Sequence, residues 1–351
     1  AVSIPWARAG DDYEPAVTAL LSLMESRPGL KDSVEAAIEI ADLKDIRDLD
    51  EFVAYLNKLV TFVPTEREVV PECLKFYYIV NQAPGDALNE DEQFSAWMND
   101  LVQAWGTFLD TPASAAGIET FRVATNYNID DYIEGPSGWQ TFNQFFAREV
   151  KSGKRPIADP RDDKVIVSPA DAVFMGQWPI DQNSTITVKG TTWAIAELLD
   201  GSPHKDAFKG GIYTHSFLYI DDYHRYHVPV AGTIKEMRNI SGKVYMDVFR
   251  EDDGTLNVVD GDTYQFNQER GLVVIDSPEV GLVAVLPIGM AYVSSVNLTT
   301  EVGAELRKGD QFGYFMFGGS DIVMVFQDRN VVLDAEVGKK YLQGQRLGEL
   351  K

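Results

Sequence analysis

The chain has 351 residues, of which 45% are hydrophobic and 24% charged, so it is long enough for two globular domains. Its net charge of −23 argues against a nucleic-acid partner and against tight adsorption to anionic lipid. No apolar run approaches the roughly 20 residues that span a bilayer, so we expect no integral membrane segment.

Cysteine usage bears on the compartment. Cys73 is the only cysteine, so no intrachain disulfide can form, which fits a reducing environment. No positively charged leader followed by an apolar segment is visible. We therefore expect a cytoplasmic protein.

The acidic charge is concentrated in the first part of the chain. Residues 1–135 carry 25 acidic and 9 basic side chains, whereas residues 136–351 carry 29 and 22. Helical spacing recurs through residues 10–60, and Phe94–Leu109 forms one amphipathic pattern with its tryptophans on one face. We predict a helical domain at 1–135 and a second domain at 136–351.

The second domain has the pattern of short strands separated by glycine turns. Thr192–Leu199 is the one helix candidate among these strands, and Thr141–Arg148 is another just before them. Many short strands indicate a β-rich barrel or sandwich. The predicted fold class is α+β, with an acidic helical domain followed by a β-rich barrel or sandwich domain. The clearest strand candidates are Thr185–Val188, Gly211–Tyr213, Val228–Ile234, Lys243–Phe249, Leu272–Ile275, Val283–Pro287 and Ala291–Val296.

Two of the four histidines occur in one segment, Asp221–Pro229. His224 and His227 lie three residues apart beside two carboxylates, a spacing that could bind a metal. A third ligand at a recognisable spacing is missing, and we predict no metal site. A histidine that acts as a general base, oriented by Asp171 or a neighbour, is a second interpretation. A structural role for both imidazoles is the third.

A glycine-rich turn precedes the last long apolar run. Gly318-Gly319-Ser320 is compatible with a plain hairpin turn. It is also compatible with self-cleavage, in which the Ser320 hydroxyl attacks the Gly319 carbonyl and glycine permits the strained backbone.

Six segments occur in a characteristic order along the second part of the chain. They are Thr141–Arg148 with Arg155-Pro156-Ile157, Ser168-Pro169-Ala170-Asp171, Val188-Lys189-Gly190, Asp222–Pro229, Asn267-Gln268-Glu269-Arg270, and Lys308-Gly309-Asp310 with Gly318-Gly319-Ser320. In this order they resemble the phosphatidylserine decarboxylases over about residues 139–330. The first part of the chain, especially Ala104–Leu109, is similar to the extra domain of a soluble branch that includes fungal L-tryptophan decarboxylases.

The resemblance implies that the chain is cut between Gly319 and Ser320. Ser320 would then become an N-terminal pyruvoyl group, the cofactor. Asp171 and His227 match the family's carboxylate and histidine that activate this serine, as a relay. His224 matches the histidine assigned to decarboxylation.

The implied chemistry has a clear physical basis. Loss of CO2 from an amino acid leaves a carbanion, and a pyruvoyl carbonyl joined to the substrate amine as a Schiff base supplies an electron sink. A nearby imidazole can return the proton. One departure stands out: Asp321 follows the serine where the phosphatidylserine enzymes usually carry threonine, which is expected to change the processing rate or the substrate preference.

Three functions stay open at this stage. The first is a decarboxylase of a soluble, aromatic, tryptophan-like L-amino acid. The second is a phosphatidylserine decarboxylase that makes phosphatidylethanolamine, although a chain of this charge would approach an anionic membrane poorly. The third is an unprocessed homologue without catalysis. A homodimer is compatible with each of them.

Overall fold

The structure is a computed structural model that describes residues 13–83, 87–258, 264–289, 296–317 and 320–351, with the backbone alone for Tyr264 and Ser320. The described residues form two compact units. One unit contains residues from 1–124, 140–142 and 244–260, and the other contains residues from 125–139, 143–243 and 261–351. The predicted division at residue 135 remains a prediction.

The first unit is built mainly of helices. Its longest helix, α5, is fixed at its start by the Asp91 side chain, which accepts hydrogen bonds from the backbone amides of Gln93 and Phe94. The helix predicted at Phe94–Leu109 is therefore present and begins two residues earlier. The helices of this unit are α1 (Pro15–Ser26), α2 (Pro28–Ala41), α3 (Leu49–Leu59), α4 (Val69–Val80), α5 (Glu92–Leu109) and α6 (Ile118–Arg122), and α7 (Phe142–Phe146) begins in it.

Aromatic side chains fill the interior of this unit. The indole N–H of Trp97 donates to the Ala16 carbonyl at 2.8 Å, and that of Trp105 donates to the Phe62 carbonyl at 2.9 Å. Each large ring is thus buried with its polar atom satisfied. The tryptophans predicted to lie on one helix face are core residues.

A β-hairpin from later in the chain completes the helical unit. Its strands β10 (Val248–Arg250) and β11 (Leu256–Val258) pack against α4. The Arg250 guanidinium donates to the Ala41 and Asp42 carbonyls, both at 3.2 Å, at the end of α2. A cation at this position satisfies carbonyls that the helix leaves unpaired.

The second unit is rich in short strands. Its described strands are β1 (Tyr132–Ile133), β2 (Glu149–Val150), β3 (Val165–Val167), β4 (Ala172–Pro179), β5 (Thr185–Val188), β6 (Thr191–Ala194), β7 (Ile212–Leu218), β8 (Arg225–His227), β9 (Gly232–Ile240), β12 (Arg270–Ser277), β13 (Gly281–Gly289), β14 (Val296–Leu298), β15 (Glu305–Leu306), β16 (Gln311–Phe315), β17 (Ser320–Phe326), β18 (Val331–Leu333), β19 (Lys340–Tyr341) and β20 (Arg346–Leu350).

Eight of these strands form one antiparallel sheet in the order β15-β9-β12-β13-β17-β7-β4-β19. Separate helical and strand-rich parts confirm the α+β class. The sheet runs from β15 to β19 and does not close on itself within the described residues, so a closed barrel is not what these strands form. Smaller sheets join β14-β16-β8, β18-β20-β3, β5-β6 and β1-β2.

The segment predicted as a helix at Thr192–Leu199 is only half helical. Thr191–Ala194 forms β6 and pairs with β5, and the short helix α8 covers Ile195–Leu198. Lys189 and Gly190 both have positive φ, 46° and 84°, which gives the tight turn between β5 and β6. The turn and the β-branched threonines favour a strand over the first half of the segment.

Strand β17 lies in the middle of the large sheet, between β13 and β7. Val323 and Val325 on one face belong to a buried apolar cluster with Leu286 and Phe266. Because side chains alternate along a strand, Asp321 projects to the same face. Among the described residues, no helix is both long and apolar enough to cross a bilayer.

Candidate active site

Ser320 is the first residue of the central strand β17. Its backbone lies between Gly289 of β13 and Leu218 of β7 in the sheet register. Gly319 falls outside the described residues. Pairing on both sides fixes the backbone at the point where cleavage is predicted, although the serine side chain is not described.

His224 is completely buried and stacks on an aromatic ring. The centroid of its imidazole lies 3.9 Å from that of Phe146, with 29° between the planes. Phe146 also makes an edge contact with Phe317, at 5.3 Å between centroids. Phe317 precedes Ser320 by three residues, so this stack connects the imidazole to the segment of predicted cleavage.

The surroundings of His224 favour its neutral form. Burial lowers the pKa of the imidazole well below its usual value, and the nearby Arg148 cation lowers it further. Neither ring nitrogen has a well-formed hydrogen bond in the described part of the chain, and only a weaker interaction with the Asp222 backbone favours protonation. His224 is thus a buried neutral imidazole with both nitrogens available.

His227 is held by a hydrogen bond at each ring nitrogen. Its Nδ1 lies 2.8 Å from the Gly309 carbonyl, and its Nε2 lies 3.0 Å from the Tyr223 hydroxyl. A carbonyl only accepts, so Nδ1 carries the proton and Nε2 accepts from tyrosine. Burial lowers the pKa of His227 to about 4. The unprotonated Nε2 is the form that a general base requires.

Asp171 is buried and saturated with donors. The Arg155 guanidinium contacts both of its oxygens, through Nε at 2.8 Å and 3.1 Å and through a terminal nitrogen at 2.5 Å. The backbone N–H of Gln343 donates to the same carboxylate at 2.8 Å. A bidentate Arg–carboxylate pair is among the most sharply oriented contacts in proteins.

The predicted relay from Asp171 to His227 is not a direct hydrogen bond in this structure. The negative charge of Asp171 still favours protonation of His227. A chain of contacts runs from Asp171 to His227. Arg155 pairs with Asp171, and its guanidinium is 5.8 Å from the centre of the Tyr223 ring. The Tyr223 hydroxyl in turn contacts His227. In this structure the effect of Asp171 on the His227 imidazole is thus electrostatic, without a direct hydrogen bond.

Asp222, the carboxylate that precedes both histidines in the sequence, also has a partner of its own. Asp222 is buried and forms an ion pair with Lys340. Burial raises the pKa of Asp222 to about 6, with the lysine opposing the rise. Asp222 and His227 thus each contact a separate partner, and among the described residues no group of three or more His, Cys, Asp or Glu side chains is placed to hold one metal ion.

Sequence reasoning missed several side chains that shape this site. Arg155 and Tyr223 lie in segments that carry the resemblance, but their residue types alone did not indicate a function. Glu269 was also present there: its carbonyl accepts from the Gly289 amide at 2.8 Å, and Gly289 pairs with Ser320. Burial raises the pKa of the Glu269 carboxyl to about 7. Lys340 carried no signal, because only the fold brings it to Asp222.

Comparison with known proteins gives matches over both parts of the chain. A family model described as phosphatidylserine decarboxylase matches residues 142–349, and a second phosphatidylserine decarboxylase model matches residues 14–122. The phosphatidylserine decarboxylase proenzyme 2 of Oryza sativa subsp. japonica is 32% identical over 246 residues, which cover 68% of this chain and 38% of that protein.

Two further relatives differ in how much of their length is matched. The phosphatidylserine decarboxylase proenzyme 3 of Schizosaccharomyces pombe is 32% identical over 250 residues, covering 68% of this chain and 24% of that protein. Decarboxylase iboD of Amanita muscaria is 28% identical over 298 residues, covering 73% and 83%. The chain spans well under half the length of the first two relatives. Because the family model matches residues 142–349, more than half of the chain, the chain belongs to the phosphatidylserine decarboxylase family.

Proposed function

We propose that the chain is a self-processing decarboxylase whose cofactor is a pyruvoyl group made from Ser320. Proenzymes of this family cleave themselves and derive their pyruvoyl group from a serine. The observation that carries the proposal is the buried, neutral His224, stacked on Phe146 and joined through Phe317 to the segment that ends at Ser320.

The residues of this chain suit the self-cleavage step. The Ser320 hydroxyl would add to the Gly319 carbonyl carbon, and the amide between them would become an ester as the proton moves from oxygen to nitrogen. Loss of the Ser320 Cα proton would then break the Cβ–O bond and release the Gly319 carboxylate. Water would replace the nitrogen, which leaves as ammonia.

His227 is the base that this cleavage requires. Its Nε2 is unprotonated, and the Gly309 carbonyl fixes the tautomer by accepting from Nδ1. The Tyr223 hydroxyl occupies Nε2 in this structure and would have to yield it to Ser320. Asp171, held by Arg155, would stabilise the positive charge that develops on the ring.

His224 suits the decarboxylation step. When formed, the pyruvoyl group supplies the electron sink that loss of CO2 requires. A neutral His224 adds no positive charge of its own beside the substrate carboxylate, so the imidazole itself does not stabilise the charge that is lost with CO2. As negative charge develops at the reacting carbon, the pKa of His224 would rise, so the ring would take up a proton from solvent and deliver it to that carbon.

The substrate that we propose is a small aromatic L-amino acid of the tryptophan type, taken from solution. The Phe146 ring, which stacks on His224 and also makes an edge contact with Phe317, supports an aromatic group. The net charge of −23 disfavours approach to an anionic membrane. Phosphatidylserine is the second candidate, favoured by the names of the rice and fission-yeast relatives.

Parallel assays separate these candidates. Purified protein is incubated with L-tryptophan, with L-phenylalanine or with vesicles containing phosphatidylserine, and CO2 and the amine product are measured. The proposal expects CO2 from an aromatic amino acid and little from the vesicles. CO2 from the vesicles alone would establish the phospholipid substrate. No CO2 from any arm, with Ser320 uncut, would establish an unprocessed homologue.

A further inference from the structure

A second polar cluster lies directly beside the cleavage position. Asp321 follows Ser320 in β17, and His215 lies on the neighbouring strand β7. The His215 Nε2 is 3.2 Å from Oδ2 of Asp321. The Gln265 amide nitrogen lies 3.1 Å from that imidazole nitrogen and 3.5 Å from the same carboxylate oxygen. We call these three residues the acid cluster.

The acid cluster is buried among apolar side chains. Asp321 and Gln265 have no exposed surface, and His215 is 2% exposed. Val323 and Val325 follow Asp321 on the same face of the strand and belong to the apolar core. A carboxylate in such surroundings is costly unless every oxygen has a partner.

One side of the cluster lacks partners. Two of the three contacts, from His215 and from Gln265, go to Oδ2 of Asp321, and Oδ1 has no hydrogen bond in the described part of the chain. The Oε1 of Gln265 is unpaired there as well. The reverse amide orientation would place two oxygens 3.5 Å apart beside a carboxylate, so the amide nitrogen belongs next to Oδ2. Two buried acceptor atoms, Asp321 Oδ1 and Gln265 Oε1, thus have no hydrogen-bond partner among the described residues.

We infer that Asp321 Oδ1, supported by Gln265 Oε1, is a subsite for a protonated amine of the substrate. This inference rests on the proposed function, because the substrate amine must come to residue 320, which Asp321 directly follows. Two acceptors and a negative charge fit an ammonium group, which carries three donors. The same charge repels a phosphodiester, so the acid cluster selects a small amino acid over a phospholipid.

Binding to a non-cleaving protein tests the subsite without relying on activity. Calorimetry on the Ser320→Ala chain measures the Kd for three probes. Tryptamine carries both the amine and the indole N–H, phenethylamine only the amine, and tryptophol a hydroxyl in place of the amine. We expect both amines to bind tighter than tryptophol. Asp321→Asn should weaken both amines about tenfold or more and leave tryptophol unchanged.

Controls make each outcome decisive. Glu236→Gln removes a mostly buried carboxylate that pairs with Arg238 on β9, outside the acid cluster, and should leave every Kd unchanged. If Asp321→Asn does not show a cooperative melt, Asp321→Thr replaces it. Gln265→Met should weaken amine binding by a smaller factor than the Asp321 variants. Equal affinity for tryptamine and tryptophol, or amine binding that survives loss of Asp321, would overturn the inference. Loss for tryptamine but not phenethylamine would assign the site to the indole N–H instead.

The proposed function fails by a different observation. If the Ser320-containing chain stays uncut and releases no CO2, the proposed function is wrong whatever the probe affinities are. If it is cut and active while Asp321→Asn binds amines normally, only the amine subsite is wrong.

Discussion

Two buried polar clusters of the second unit use opposite means to tolerate burial. The first, the histidine cluster of Tyr223, His224 and His227, is surrounded by aromatic rings and a backbone carbonyl, and both imidazoles are kept neutral. The acid cluster lies against aliphatic residues and places a carboxylate beside an imidazole. Among the described residues Asp321 Oδ1 has no hydrogen bond, whereas both ring nitrogens of His227 have one.

This difference suits the two clusters to different tasks: the histidine cluster to proton transfer, and the acid cluster to ligand recognition. A neutral imidazole with a fixed tautomer can take up and return a proton at neutral pH. A carboxylate with one unpaired oxygen offers a fixed charge to a ligand, which gains the interaction that the protein leaves open. The following changes alter the histidine cluster or its support, and leave the acid cluster intact.

The largest effect is expected on removing the His224 imidazole. His224→Asn should be cut normally, because His227 is the base for cleavage, but should lose about 10²- to 10⁴-fold in the rate of CO2 release. Single-turnover CO2 release by the cut protein is the measurement. His204→Asn, a histidine outside both clusters, is the matched control and should retain full activity. Normal rates in His224→Asn would remove this residue from the reaction.

A large stability loss is expected on removing the cation that holds Asp171. Arg155→Met leaves the carboxylate buried without its cation and with the Gln343 amide as its remaining described donor, which should lower the free energy of unfolding by about 3–5 kcal/mol. Arg346→Met is the control, since its ion pairs with Asp334 and Glu349 are half-exposed, and it should cost about 0–1 kcal/mol. Urea titration at pH 7 compares the two, and equal small losses would contradict the assigned role of Arg155.

A smaller effect is expected from pH acting on His227. Its pKa is about 4 in the folded chain and 6.5 as an ordinary histidine, so the unfolded chain binds more protons between these values. Stability should therefore fall as the pH falls, by about 2 kcal/mol from this residue between pH 7 and pH 5. Asp222, with its pKa raised to about 6, opposes part of the change.

The variant His227→Gln isolates the histidine contribution. Urea titrations at pH 7 and pH 5 should show a shallower loss of stability in the variant than in the unaltered chain. The Asp222 contribution is present in both proteins and cancels in the comparison. Identical pH dependence would mean that His227 is not held neutral by the fold.

The smallest effect is expected from the hydroxyl that occupies Nε2 of His227. Tyr223→Phe removes one hydrogen bond and keeps the ring, so the free energy of unfolding should fall by about 1 kcal/mol. Cleavage should persist or become faster, since Nε2 becomes available to Ser320. The time course of cleavage after synthesis measures this. Complete loss of cleavage would show that the hydroxyl takes part in the step.

The sequence predicted His224 and His227 as site residues because both lie in one short segment, whereas Tyr223 in the same segment was given no role. His224 and His227 belong to a run of nine residues, and Asp171 ends a strand-turn pattern that could be read locally. The α+β class followed likewise from local periodicity. The turn at Gly319–Ser320 was predicted for the same reason and stays a prediction, because its glycines and the serine side chain lie outside the described residues.

The acid cluster could not be predicted, because its members come from three distant segments. Residues 215, 265 and 321 meet only through the pairing of β7 with β17 and the packing of Gln265 over them. The same applies to the ion pair of Asp222 with Lys340. The hairpin Val248–Val258 joined the helical unit for a similar reason, since its partner α4 lies far away in sequence.

The intact mass of freshly purified protein under denaturing conditions tests the central claim most directly. The account predicts two species that divide between Gly319 and Ser320, the smaller one starting with a pyruvoyl group and therefore lacking the serine nitrogen. Ser320→Ala should remain one chain. A single uncut chain of 39.1 kDa from the unaltered sequence would contradict self-processing and remove the cofactor on which the proposed reaction depends.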